Sequence, residues 1–165
     1  MKKQVILLNG PSSSGKSSLA KALRGLIQER KNQKYEIISI DDFMKLATDE
    51  TIYEDDVFEI SGDMCHAALS ALESASGVIV DHVITSERIF NQLKAMLGAH
   101  EIRTVHVHCP LSVLLAREQA RGNRCPGSAE ASFEYLFPED GYDLTVNTHT
   151  MRTEQCAERI FEELC

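Results

Sequence analysis

The chain has 165 residues, 17 Lys and Arg against 25 Asp and Glu, and a formal net charge of −8. A chain of this length fits one domain and buries about two-thirds of its unfolded surface, so it needs no disulfide or metal staple to fold. An acidic balance argues against gripping nucleic acid by its backbone, and no apolar stretch approaches the roughly 20 residues of a membrane-spanning helix.

The chain opens with a basic pair and the short apolar run Val5, Ile6, Leu7, Leu8. That run is below the roughly 7–15 apolar residues of a secretory leader, and no small-residue cleavage site follows. Cys65, Cys109, Cys125, Cys156 and Cys165 are widely spaced, with no C-x-x-C pair. This usage reads as reduced thiols in a cytoplasmic protein. Cys125, in a polar Arg/Gly/Pro stretch, is the thiol expected to be exposed.

Apolar runs of strand length alternate with segments of helical period, the signature of βαβ units and a parallel sheet. Strands are expected at residues 4–8, 36–40, 77–81, 102–108 and 143–147. Three of them (EIISI, GVIVD, TVHVH) are nearly continuous β-branched runs, as in strands covered on both faces. After the first strand, Leu19, Leu23, Leu26 and Ile27 fall on one helical stripe. From Asp41 to Ser61 the chain is acidic without a clear period, and Cys65, Ala68, Leu69 and Leu72 then resume a stripe. The next helix carries Ile89, Leu93, Met96 and Leu97, with Thr85 or Ser86 placed to cap it. Leu111, Leu114 and Leu115 begin another, an irregular stretch runs from Gly122 to Gly141, and Ala157, Ile160, Phe161 and Leu164 close the pattern. Long loops in a domain of this kind are usually lids, and both irregular stretches are expected over the carboxyl ends of the strands.

Gly10-Pro11-Ser12-Ser13-Ser14-Gly15-Lys16-Ser17 fits G-x-x-x-x-G-K-[ST] at every fixed position, between an apolar strand and an amphipathic helix. Its glycines let successive backbone N–H groups turn inward, where they and the helix N-terminus hold phosphate without a flexible side chain. Ser18 continues the cradle. Lys16 is expected to reach the β- and γ-phosphates, and the Ser17 hydroxyl to join the shell of a Mg²⁺ ion.

Asp41 and Asp42 are expected to end the second strand and Asp81 the third, on the sheet edge that carries the phosphate loop. Asp81 has the position of a Walker B metal acid. Asp41 is the expected general base, and Asp41 with Asp42 is expected to wall the acceptor site. Glu50, Glu54, Asp55 and Asp56 read as a solvated loop face. Arg117, Arg121 and Arg124, spaced i, i+4, i+7, share one helical face and are expected to close a lid over the transferring phosphoryl group. His106 and His108 alternate with valines, so both rings point to one face of a strand. They read as structural histidines, since no third metal ligand accompanies them.

The loop LNGPSSSGKSS, the strand end VIVD, the segment AREQARGNR and the ending YDLTVNTHT together resemble the chloramphenicol phosphotransferase-like proteins, over nearly the whole chain. The resemblance implies a three-layer P-loop kinase fold, with a five-stranded parallel sheet ordered 2-3-1-4-5 and a single domain over residues 1–165 whose lid lies around 117–141. It also implies phosphorylation of a small-molecule hydroxyl with ATP and Mg²⁺, with Asp41 as base, Arg117, Arg121 and Arg124 as lid arginines, and Thr148 and His149 near the adenine. Antibiotic resistance is the associated role. Positions that depart from the family are His82, where a second Asp is usual, and Asn123 and Asn147, where acids are expected; the stretch after Asp41 is also shorter and more acidic. Kinases for a nucleotide, a shikimate-like metabolite or a sugar acid are the alternative enzymes. A nucleotide-binding switch is the alternative without an acceptor, and the absent N-K-x-D motif speaks against it.

Overall fold

The computed structural model describes residues 2–44, 54–122 and 127–165. Its five strands are β1 (Gln4–Asn9), β2 (Tyr35–Ser39), β3 (Gly77–His82), β4 (Glu101–His108) and β5 (Leu144–Asn147). They form one sheet in the order β2-β3-β1-β4-β5, with every pair parallel. The helices are α1 (Lys16–Lys31), α2 (Ile40–Met44), α3 (Glu54–Leu72), α4 (Glu87–Leu97), α5 (Leu111–Arg121), α6 (Ser128–Tyr135) and α7 (Thr153–Leu164). Fold and strand order agree with the sequence expectation. None of the described helices is long and apolar enough to cross a membrane.

Two cores follow from strand alternation. Ile6 and Leu8 of β1 point to one face and pack with Leu19, Leu23 and Ile27 of α1 and Ala157 and Ile160 of α7. Val5 and Leu7 point to the other and pack with Met64, Cys65 and Ala68 of α3 and Ile89, Leu93 and Leu97 of α4. β1 and β3 are covered on both sides, which is why their sequences lack polar alternation. The Ser86 hydroxyl caps α4, accepting from the Ile89 N–H at 3.4 Å.

Three local expectations are corrected. β2 ends at Ser39, so Asp41 and Asp42 lie in the first turn of α2 and not at a strand end. The acidic stretch is not irregular throughout: α3 begins at Glu54, and Glu54, Asp55 and Asp56 form its first turn, where the helix dipole favours acids. The stretch from Gly122 to Gly141 contains a helix, α6, whose small residues Ala129 and Ser132 are its buried positions and gave no apolar stripe to read. Glu50, Asn123, Arg124 and Cys125 lie outside the described residues.

His106 and His108 do share a face, with ring centroids 5.7 Å apart edge to face. Both are half-buried, and His106 stacks on Tyr142 at 4.9 Å. Burial, and then the neighbouring His108, push the His106 pKa down.

Candidate active site

The register brings the ends of three strands to one place. Leu8 of β1 and Ser39 of β2 both pair with Asp81 of β3, so the residues that follow β1 emerge beside that carboxylate. Gly10 turns the chain against β4, where a Cβ would stand 2.5 Å from the Val107 carbonyl oxygen; only glycine fits that approach. Ser13 and Gly15 both adopt left-handed backbone, at φ 71° and 91°. Residues of this hand, set among right-handed neighbours, curl successive N–H groups toward a common centre.

The outer side of the loop is held by side chains from distant elements. The Thr148 hydroxyl donates to the Ser14 carbonyl at 2.7 Å. Arg117 of α5 donates from Nη1 to the Ser13 carbonyl at 3.4 Å and to Thr148 Oγ1 at 3.3 Å, and from Nη2 to the Thr148 carbonyl at 3.0 Å. These bonds satisfy the Ser13 and Ser14 carbonyls. Lys16 is 6% exposed, and its ammonium donates to the Pro11 carbonyl at 2.9 Å and to Ser14 Oγ at 3.4 Å.

Asp81 is 4% exposed, and its Oδ2 accepts from Ser17 Oγ at 3.2 Å and Ser39 Oγ at 3.3 Å. Burial raises its pKa most; Lys16 and the Ser17 hydroxyl pull it back down, and Asp41 raises it again. Next to it His82 is fully buried, with Nε2 3.0 Å from Ser61 Oγ of α3. Burial first, and Lys16 second, hold that imidazole neutral, with its pKa pushed down to about 3. Beside Asp81 this chain therefore has a neutral ring tying α3 to β3.

A cavity of about 510 Å³ opens over these groups, lined by Ser12, Ser13, Gly15 to Ser18, Asp41, Asp81, Arg117, Arg121 and Thr148. Gly10, Pro11 and Ser14 shape the loop beneath it without lining it. Asp42 is exposed and does not line it, so the structure brings Asp41 and Asp81 together but not Asp42. The residues present fit a magnesium–nucleotide complex. Ser13 Oγ is buried in the loop without a hydrogen-bond partner, a buried ammonium stands beside it, and a hydroxyl and a carboxylate lie side by side at the helix start. Hard oxygen donors in that number suit Mg²⁺, which takes the rest of its shell from phosphate and water.

The model of the chloramphenicol phosphotransferase-like proteins matches residues 3–165. The chain belongs to that family. Comparison with curated proteins finds no match. Among solved structures, the Mycobacterium tuberculosis APS kinase in complex with AMPPNP and APS is similar at 18% identity, covering 99% of this chain and 98% of that one, with a TM-score of 0.79. The Acinetobacter baumannii shikimate kinase in complex with shikimate is similar at 18% identity, covering 97% and 92%, with a TM-score of 0.67. The Deinococcus radiodurans tunicamycin resistance protein is similar at 21% identity, covering 99% and 96%, with a TM-score of 0.65. These likenesses establish the P-loop kinase fold.

Sequence reasoning missed two groups beside the loop. Asn9 is fully buried; its Nδ2 donates to the Phe137 carbonyl at 2.9 Å and the Tyr142 hydroxyl at 3.0 Å, and its Oδ1 accepts from the Ile84 N–H at 2.9 Å. Ser132 of α6 is 7% exposed and reaches the Ser12 amide. A polar residue at the end of an otherwise apolar strand was the available signal for Asn9; Ser132 offered none.

Proposed function

We propose that the chain is a single-domain cytoplasmic kinase that transfers the γ-phosphoryl group of ATP to a hydroxyl of a small molecule. The observation that carries this reading is the meeting, in one cavity, of a phosphate-loop lysine, a hydroxyl–carboxylate pair suited to Mg²⁺ and a separate carboxylate, Asp41. A bare nucleotide switch does not need that last group. In this reading the loop amides and Lys16 hold the phosphate chain, with Gly10 to Ser18 as the nucleotide cradle. Ser17 and Asp81 hold the metal, which when bound offsets charge on the β- and γ-phosphates. Asp41 accepts the proton of the acceptor hydroxyl, with Asp42 on the rim beside it. Arg121, on the cavity wall, and Arg124 stabilise the transferring group and exclude water, while Arg117 and Thr148 keep the loop in shape.

The family's name and the tunicamycin resistance neighbour both favour hydroxylated antibiotics as the first acceptors to try, with sugar acids and shikimate-like alcohols next. The test is ADP release from Mg²⁺-ATP across such a panel. A kinase releases ADP at a rate that rises with one acceptor class. Nucleotide binding with no acceptor dependence, or a preference for GTP over ATP, would overturn the reading in favour of a switch.

A further inference from the structure

The Ser12 amide belongs to the first arm of the phosphate loop, and it donates to Ser132 Oγ of α6 at 2.9 Å, a contact between residues 120 positions apart. The direction of that bond is fixed. The Ser132 hydroxyl spends its one hydrogen on its own helix, donating to the Ser128 carbonyl at 2.7 Å with the Ala129 carbonyl also near at 3.2 Å. Its oxygen is left to accept, and the Ser12 N–H is the donor it meets. The helix that carries Ser132 is itself held. Glu118 of α5, 8% exposed, accepts from the Ala129 N–H at 3.3 Å, and Ala129 packs against Cys109 and Leu114. A chain of contacts therefore runs from α5, which also bears Arg117 and Arg121, through Glu118 and Ala129 to Ser132 and the loop.

We infer that Ser132 is a positioning residue of the phosphate loop: by accepting from Ser12 it fixes the arm of the loop that precedes left-handed Ser13, so that docking of α6 sets the shape of the nucleotide cradle. The inference rests on the nucleotide reading above. Arg117 and Thr148 fix the loop through its carbonyls, at Ser13 and Ser14, and Lys16 reaches the Pro11 carbonyl; Ser132 fixes it through an amide. Without that acceptor the Ser12 amide loses its side-chain partner, and the ordering that this bond now supplies would have to come from nucleotide binding.

The test compares Ser132→Ala with Ser132→Thr, which keeps a hydroxyl, and with Glu118→Gln, which weakens the hold on α6. In steady-state kinetics, Ser132→Ala is expected to raise KM for Mg²⁺-ATP about tenfold, the size expected for an orphaned amide, with kcat within about twofold. KM for the acceptor should stay unchanged, Ser132→Thr should restore most of the loss, and Glu118→Gln should move KM the same way by less. A merely structural role would lower the melting temperature and the active fraction while leaving KM of the active molecules unmoved, and that result overturns the inference. Amide hydrogen exchange at Ser12, on the protein without nucleotide, judges it separately from the kinase reading. Protection in the wild type that falls about tenfold in Ser132→Ala and returns in Ser132→Thr supports it, by the same orphaned-amide reasoning. Equal exchange in all three overturns it, whatever the nucleotide assays show.

Discussion

The phosphate loop and the start of α3 are held differently. The loop is held by buried or half-buried side chains from three separate elements or their flanks, Arg117 of α5, Ser132 of α6 and Thr148 after β5. The start of α3 is held by exposed pairs. Arg88 bonds Asp55 at 2.6 Å and lies 3.9 Å over the Phe58 ring, and Ser86 Oγ donates to Glu54 at 2.7 Å. Exposed pairs of this kind are each worth at most about 1 kcal/mol, whereas a buried polar group left without its partner costs about 1–3 kcal/mol. The phosphate loop is thus held by buried and half-buried contacts, and the start of α3 by contacts that substitution can change at little cost.

Substitutions can break or sharpen that contrast. The largest effect is expected at Lys16: Lys16→Ala should lower kcat by about 10³ or more while leaving the far-ultraviolet circular dichroism unchanged, because it removes a preorganised cation from the reacting phosphate. Turnover like that of the wild type would take Lys16 out of the mechanism. Asp41→Asn should cost about 10² or more in kcat with little change in ATP affinity, as expected for a lost general base. A loss mainly of Mg²⁺-ATP binding would instead put Asp41 in the metal shell. Gly10→Ala should destabilise the fold by about 1–3 kcal/mol in urea titration, since its Cβ would meet the Val107 carbonyl at 2.5 Å. At the start of α3, Arg88→Ala should change stability by less than about 1 kcal/mol. A larger loss would mean that this helix start is as rigid as the loop.

A smaller, pH-dependent effect comes from the two tyrosines tied to β1. Tyr142 donates to the Pro138 carbonyl and receives Asn9, and Tyr35 donates to Gln4; burial pushes both hydroxyls up to about 12. Because the folded pKa lies above the usual value near 10, the stability from keeping these rings neutral is complete below about pH 10. It is lost as pH rises from about 10 through 12. Absorbance at 295 nm, followed beside thermal melting, should show the two groups ionising late and stability falling over the same interval.

The phosphate loop of this molecule is legible in its sequence, and the reason is local. A phosphate loop needs its glycines, lysine and hydroxyl at fixed spacing on contiguous chain, and Gly10 to Ser17 state that requirement directly. Strand order followed from family resemblance, and the β-branched runs EIISI, GVIVD and TVHVH located three of the strands to within a residue or so. What was not legible depends on contacts across the chain. The break between β2 and α2 falls inside a continuous apolar run, so Asp41 and Asp42 read as a strand end. α6 buries alanine and serine, so its periodicity is faint. The roles of Ser132 and Asn9 exist only once residues more than 100 positions apart have met. The spacing of Arg117 is that of a lid cation, and its guanidinium bonds the Ser13 carbonyl and Thr148; no spacing rule distinguishes those two uses.

The central claim is that the loop of residues 10–18 grips a triphosphate through those of its amides that Ser132 and the protein's own carbonyls do not occupy, and through Lys16. Calorimetric titration of the protein with the Mg²⁺ complex of a non-hydrolysable ATP analogue, beside the same titration of Lys16→Ala, tests it most directly. The expected result is a saturable single-site heat in the wild type that is lost or greatly weakened in the variant. No heat in the wild type, or an equal heat in both, would contradict it.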